Sequence, residues 1–335
     1  MESQVQPLVS VTVITYNSSK TVLETLDSIK AQTYQNIELI VSDDCSTDNT
    51  VAVCREWVEK NKSRFVRTEV VTIKKNTGVA GNLNRAEAAC RGEWIKPIAG
   101  DDVLLPNCIQ DCIDYVTEHP ETEVLFGRVC SFGGKTEEEN KKWDSWFNYQ
   151  LFSLSSEEIL HHLLFVANGI PAPALFYKRD INEKYHLKND ERVPLLEDWV
   201  KWINMLRVGV QFHFIDKDLV KYRLGGGLST GVRSTLKYFE SERLFKFYYA
   251  YPAWRQEDSD AAVKRIVKEE CDVYRQLLEA ENEDASKIHQ QRDEYKKLYE
   301  RYFREYNQIA GSKAYRIGKF LVKPFSKFRR LFQKG

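Results

Sequence analysis

Apolar and polar positions change period repeatedly along the first 130 residues. Val9–Thr15 is a continuous β-rich run that predicts a buried strand. Val22, Leu23, Leu26 and Ile29 then recur at helical spacing and predict a helix over Thr21–Gln32, with Ser19 placed to cap it. The same reading gives strands at Ile37–Val41, Val66–Ile73, Trp94–Ile98 and Val124–Val129, and helices at Val51–Lys60, Ala80–Cys90 and Pro106–Glu118. Strand and helix alternate four times with short connections. That pattern predicts an α/β fold built on a doubly wound, mainly parallel sheet. Ligands of such sheets sit beyond the carboxyl ends of the strands. Polar loops stand at those ends: Tyr16–Ser19, Asp43–Asp48 and Gly100–Asp102.

The pattern loosens over Ser131–Asp190, which holds an aromatic run at Trp143–Phe152, a helical piece at Glu157–Phe165, the loop Gly169–Pro173 and a short strand at Ala174–Tyr177. A helix is predicted from Leu195 to Val208, then two strands, Val210–Ile215 and Leu219–Leu224, around a turn. From Thr235 to about Ala310 the chain reads as charge-rich helix. The resulting division is 1–130, 131–230, a helical extension 231–310 and a tail 311–335.

Charge changes the picture of that tail. The 335 residues carry 49 Lys+Arg and 49 Asp+Glu, a net charge of zero. The last 25 residues hold eight of the bases and no acid, so the tail is +8 and the rest of the chain −8. Ile317, Phe320, Leu321, Phe325, Phe328, Leu331 and Phe332 form an apolar stripe beside those bases, which Pro324 kinks or splits. Bases and aromatic anchors at this spacing predict an interfacial helix on an anionic membrane surface; the alternative is a helix docked on the acidic body. No nucleic-acid module accompanies the tail, so nucleic acid is not expected as a partner. No apolar run reaches the ~18–20 residues of a membrane-spanning helix. Met1–Leu8 lacks the features of a secretory signal, and seven cysteines without small-domain spacing suggest reduced thiols, so a cytoplasmic, membrane-peripheral location is expected. The helical extension could support a homo-oligomer.

Candidate chemistry lies at the strand ends. No glycine-rich dinucleotide loop follows the first strand and no P-loop occurs, which argues against a nicotinamide dehydrogenase and a P-loop NTPase. Asp43, Asp44, Asp101 and Asp102 would instead converge on one rim of the sheet. Carboxylates so placed repel one another unless a cation or hydrogen-bond donors offset them. Mn²⁺ or Mg²⁺ with a diphosphate is a natural offset. Cys108 and Cys112 lie one helical turn apart with no completing ligand, and read as core. Trp143, Trp146, Phe147 and Tyr149 either offer a stacking surface to a ligand or are simply buried.

Six stretches taken in order carry a resemblance. They are Val9–Asn17, Glu38–Asp48, Asn76-Thr77-Gly78-Val79 through Asn84, Gly92-Glu93-Trp94-Ile95, Gly100-Asp101-Asp102 and Leu196-Glu197-Asp198. Over roughly residues 8–225 the chain resembles the family 2 glycosyltransferases, inverting enzymes of GT-A (Rossmann-like) fold, of the bacterial polysaccharide-biosynthesis type. The resemblance implies a donor site in which Thr15 and Tyr16 flank the nucleotide base and Asp43 or Asp44 accepts its imide N–H. Asn76, Gly78 and Asn84 would shape its wall. Asp101 and Asp102 stand where the family keeps its metal and ribose ligands, and Arg223 near the phosphates. Asp198 takes the place of the general base, with Glu197, Trp199, Pro171 and Pro173 on the acceptor side. The implied activity is transfer of one hexosyl or N-acetylhexosaminyl unit from a nucleotide-sugar, a UDP-sugar being favoured, to a hydroxyl of a lipid-linked glycan, with a divalent cation as cofactor. Ala99 replaces the first acid of the family's Asp-x-Asp-Asp, Leu83 replaces a basic residue, and Leu224-Gly225-Gly226 stands where relatives often place a histidine. These departures keep an alternative open: a non-catalytic nucleotide-sugar-binding or scaffolding protein on the same fold.

Overall fold

The computed structural model describes residues 6–225, 236–257 and 265. Its strands are β1 (Val9–Thr15), β2 (Ile37–Asp43), β3 (Arg67–Thr72), β4 (Trp94–Ala99), β5 (Val103–Leu104), β6 (Val124–Phe132), β7 (Phe176–Lys178) and β8 (Phe212–Arg223). They form one sheet in the order β3-β2-β1-β4-β7-β6-β8-β5. β1 lies centrally, parallel to β2 and β4, in a register that brings Thr15 opposite Asp43 and Ile14 opposite Ala99. The expected parallel unit is therefore present, and β7 then joins it antiparallel to a second group in which β6 and β8 are parallel. The sheet is mixed, and it runs through both halves divided at residue 130 in the sequence reading.

The helices are α1 (Val22–Lys30), α2 (Thr50–Asn61), α3 (Gly78–Ala89), α4 (Cys108–Glu118), α5 (Glu137–Asp144), α6 (Ser156–Phe165), α7 (Ile181–Lys184) and α8 (Glu197–Arg207). β1 is buried on both faces: Val9, Val11, Val13, Ser10 and Thr12 are fully enclosed. Such burial explains its unalternating sequence. Cys108 and Cys112 are buried on the inner face of α4 with Ile109 and Ile113, as the spacing predicts. Ser19 does not cap α1. Thr21 occupies that position, its hydroxyl given to the carbonyl of Gly100 at 2.8 Å, while the Ser19 N–H goes to Asp48.

Two local features depart from the sequence reading or depend on it. The expected strand pair around Asp216-Lys217-Asp218 is one continuous strand, β8. The polar triplet sits where the ladder with β6 shifts register beside Arg128, and its outward side chains find partners: Asp216 pairs with Arg128, and Lys217 with Asp111 at 2.5 Å. A register shift in a strand and a turn present the same polar signature. Pro97 lies inside β4, where a proline would normally break a ladder. β1 runs alongside residue 97, but β7 pairs with β4 only at Trp94 and Ile95, so on the β7 side no strand calls for an N–H from residue 97. The sheet opens at this point. The Lys96 ammonium fills the gap, donating to the carbonyls of Pro97 at 3.0 Å and of Pro173.

The chain divides into two compact units, Met1–Phe245 and Lys246–Gly335. The helix Leu236–Phe245 ends the first. In the second, the π-turn Lys246–Ala250 leads into the helix Tyr251–Glu257, in agreement with the helical character read there. Among the described residues no helix is long and apolar enough to cross a membrane. Most of the helical extension and the whole basic tail 311–335 lie outside the described residues.

Candidate active site

The carboxyl ends of β1 and β2 carry the first pair of acids, both almost fully buried. Asp43 receives the Thr15 hydroxyl at 2.9 Å, the Ser46 N–H at 2.8 Å and the Ser46 hydroxyl at 2.5 Å. Asp44 receives the N–H groups of Thr77 and Gly78, the Thr77 hydroxyl at 2.7 Å and the Arg85 guanidinium at 3.0 Å. An ionised carboxylate offers about four lone-pair sites. Asp44 is saturated by its own fold, whereas Asp43 is one donor short. Asn76 closes the same corner, giving its amide N–H to the Asp44 carbonyl and accepting from Gly78 N–H. Gly78 opens α3 at φ +78°, a conformation natural to glycine. Tyr16 stands 45% exposed above this corner. Its loop is tied down by Asn17, whose side chain accepts from the N–H of Thr47 at 2.8 Å.

Asn84 lies further along α3 and does more than line a wall. Its side chain receives the Asn189 N–H at 2.9 Å and donates to the Asn189 carbonyl at 3.0 Å and to Glu191 at 3.1 Å. It therefore fixes the segment that leads into α8.

Asp101 and Asp102 follow β4. Asp102 is 2% exposed and accepts the Arg223 N–H at 2.9 Å; Asp101 is half-buried, and its carbonyl takes the Arg223 Nε at 2.7 Å. Burial, and then the charge of Asp101, push the Asp102 carboxyl well above its ordinary range, and burial also raises Asp101. The Arg223 guanidinium lies over the Phe132 ring and pairs with Glu24. Two adjacent acids that resist ionisation form a donor set a divalent cation would relieve. Among the described residues no group of three or more His, Cys, Asp or Glu is set to hold a metal. A cation here would complete its shell from water and phosphate, as Mg²⁺ commonly does.

The second half of the site is the N-terminus of α8. Glu197 and Asp198 open this helix. Asp198 accepts from the Asn168 amide at 3.2 Å, and Asn168 is itself oriented by taking the Ile170 N–H at 3.1 Å. Burial, followed by the charge of Asp198, raises the Glu197 carboxyl to about 8. The Trp199 indole N–H goes to the Leu163 carbonyl at 2.8 Å, which ties α8 to α6, and its ring packs on Phe245 at 4.1 Å between centroids. Pro171 precedes a tight 3₁₀ turn, Ala172–Ala174, and Pro173 is its middle residue, whose carbonyl is the one gripped by Lys96.

Four residues of this arrangement escape sequence reading. Arg85 lies two positions beyond the expected basic site at Leu83 and still reaches Asp44. Lys96 reads as an ordinary strand lysine, yet is fully buried. Glu24 and Asn168 are polar loop or helix residues whose partners lie 199 and 30 positions away.

Comparison with known proteins agrees with this geometry. The pattern defining Glycosyl transferase family 2 matches residues 10–185. An uncharacterized glycosyltransferase of Haemophilus influenzae is 28% identical over 233 residues, 68% of each chain. Glycosyltransferase GlyG of Streptococcus pneumoniae is 26% identical over 228 residues, 66% of this chain and 72% of that one. Among solved structures, S. aureus TarS 1-349 in complex with UDP-GlcNAc shares the fold, with a TM-score of 0.56 at 22% identity; the match covers 71% of this chain and 65% of that one, just under two thirds. The parallel strands, the acids at their carboxyl ends and the matched pattern lead to one conclusion: this chain belongs to glycosyl transferase family 2.

Proposed function

We propose that the chain transfers one sugar from a UDP-sugar to a hydroxyl of a glycan acceptor with inversion, Asp198 acting as general base. The carrying observation is the placement of Asp198 at the start of α8, held by the Asn168 amide at 3.2 Å and paired with Glu197. An acceptor hydroxyl titrates far above neutrality, so it needs a base as it attacks the anomeric carbon. The Asn168 amide on one oxygen and the Trp199 N–H on the other, at 2.6 Å, fix the orientation of the Asp198 carboxylate, and general-base assistance is typically worth about 10²–10⁴-fold. Attack from the face opposite the leaving diphosphate inverts the centre in one displacement.

On the donor side, Tyr16 offers an exposed ring to the base, and the imide N–H falls to Asp43, since the lone pairs of Asp44 are taken. The UDP-GlcNAc bound by TarS supports a UDP-sugar as donor. Asp101 and Asp102 would hold a divalent cation, which when bound offsets the charge of the departing diphosphate. Arg223 adds a fixed positive charge beside them. The basic, aromatic tail 311–335 would keep the enzyme on an anionic membrane face and give it access to a lipid-linked acceptor. Two measurements test the reading. Thermal shift with UDP-GlcNAc and UDP-glucose, with and without Mn²⁺, should show stabilisation that grows with metal. Asp198→Asn should keep that stabilisation and lose about 10²–10⁴-fold in turnover; turnover near wild type would remove Asp198 from the role.

A further inference from the structure

We propose that Trp146, backed by Trp143, is a stacking platform for a pyranose ring of the acceptor glycan. This inference rests on the transferase reading above and names where the acceptor lies. Trp146 is 52% exposed, an unusual position for the largest apolar side chain. Its ring lies nearly parallel to that of Trp143, at 27° with centroids 6.0 Å apart, so its orientation is set by a second indole.

The segment that carries it is pinned on both sides of the proposed catalytic centre. On one side, Asp144 accepts the Ser131 N–H at 2.7 Å, and Phe147 packs edge-on against Tyr222 with centroids 6.2 Å apart. Tyr222 precedes Arg223, whose N–H meets Asp102. On the other side, the Asn148 N–H donates to the Gly169 carbonyl at 2.8 Å. Gly169 follows Asn168, whose amide holds Asp198. A Cβ at Gly169 would come within 2.9 Å of Asn148 Cβ, so only glycine allows this approach. Trp146 thus lies on the stretch of chain that bridges the carboxylate pair and the base, where an acceptor must lie for its hydroxyl to reach Asp198.

The chemistry fits a sugar. An indole face is apolar and electron-rich, and the C–H groups on a pyranose face carry partial positive charge, so the two associate with little dependence on salt. The charged residues of α5, Glu137–Glu139 and Lys141-Lys142, precede the pair in sequence.

The test uses the full chain on a printed array of pyranose oligosaccharides, with UDP and Mn²⁺ present. Wild type should retain at least one glycan. Trp146→Ala should weaken that binding roughly tenfold and Trp146→Phe should recover part of it, as expected for an aromatic contact. The loss should be the same in low and high salt, and UDP affinity should not change. Equal glycan binding by Trp146→Ala, or a wild type that binds UDP but no glycan on the array, overturns this proposal alone. A wild type that binds no UDP sinks the donor reading and this proposal with it.

Discussion

Glu197 and Asp198 are consecutive acids with different burdens. Burial raises Glu197 to about 8, so at neutral pH it holds its proton and leaves the negative charge to Asp198. In the unfolded chain Glu197 ionises near 4.5. Between about 4.5 and about 8 the folded state therefore binds more protons than the unfolded state, and this residue makes stability fall as pH rises through that window. Glu197→Gln should raise the melting temperature at pH above about 8 and change little below about pH 4.5, measured by calorimetry in matched buffers. An equal gain at both pH values would show that Glu197 does not titrate this way. Asn168→Leu removes the amide that aims Asp198; turnover should fall while KM for the donor stays near wild type, a split that a general loss of folding would not produce. Glu197 and Asp198 were legible only through the family resemblance, whereas Asp43, Asp44, Asp101 and Asp102 stood out as two acid pairs at successive strand ends. Asn168 was not legible, because its meaning comes from a contact that exists only once α8 has docked.

Helix α3 and helix α8 carry the two halves of the site, and a buried network joins them. Lys201 Nζ meets Glu87 Oε1 at 2.7 Å, with both side chains less than a tenth exposed. Asn189 and Asn182 donate to the same Glu87 carboxylate at 3.2 and 3.0 Å, and Lys201 lies 4.4 Å from the Tyr177 ring centroid. Lys201 is one helical turn beyond Asp198, so the ion pair sets where the base helix rests against the donor helix. Removing one partner of a buried pair leaves an uncompensated charge and costs about 3–5 kcal/mol. Lys201→Met should lower the melting temperature markedly, and adding Glu87→Gln should restore part of the loss, read by thermal denaturation of the single and double variants. Strictly additive effects would show that the pair is not coupled. Periodicity placed most helices and strands within a few residues, because their apolar faces are long and one-sided. It failed at β8, where the outward Asp216-Lys217-Asp218 marks a register shift, and it could not show that Lys201, a charged residue in an amphipathic helix, points inward.

Across the molecule, charge is segregated at several depths. At the amino end of the sheet, opposite the site, Glu38 is fully buried. Burial alone would raise its carboxyl, but the Ser10 hydroxyl, the N–H groups of Arg91 and Gly92, and Arg67 together hold it below the usual range. A group depressed in this way stabilises the fold above its ordinary value, and that contribution is lost as pH falls through its folded value. Glu38→Gln should therefore cost stability at pH 7 and progressively less as the medium is acidified below about pH 4, measured by urea denaturation. A cost independent of pH would point to packing alone. At the carboxyl end of the chain, deletion of 311–335 should abolish sedimentation with anionic liposomes and leave donor binding intact; retained sedimentation would place membrane contact elsewhere. The charge split was visible in the sequence because it is a sum, needing no knowledge of contacts.

Lys96 holds the turn at Ala172–Ala174 by a main-chain oxygen, not by any side chain of that turn. The latch is therefore indifferent to what the turn carries. Ala172, which is partly exposed, can be exchanged without disturbing that latch, whereas Pro171 and Ala174 are buried and must stay. On the proposed acceptor side, Ala172 is therefore the position of the turn at which to redesign acceptor preference, with Lys96 left untouched as the anchor.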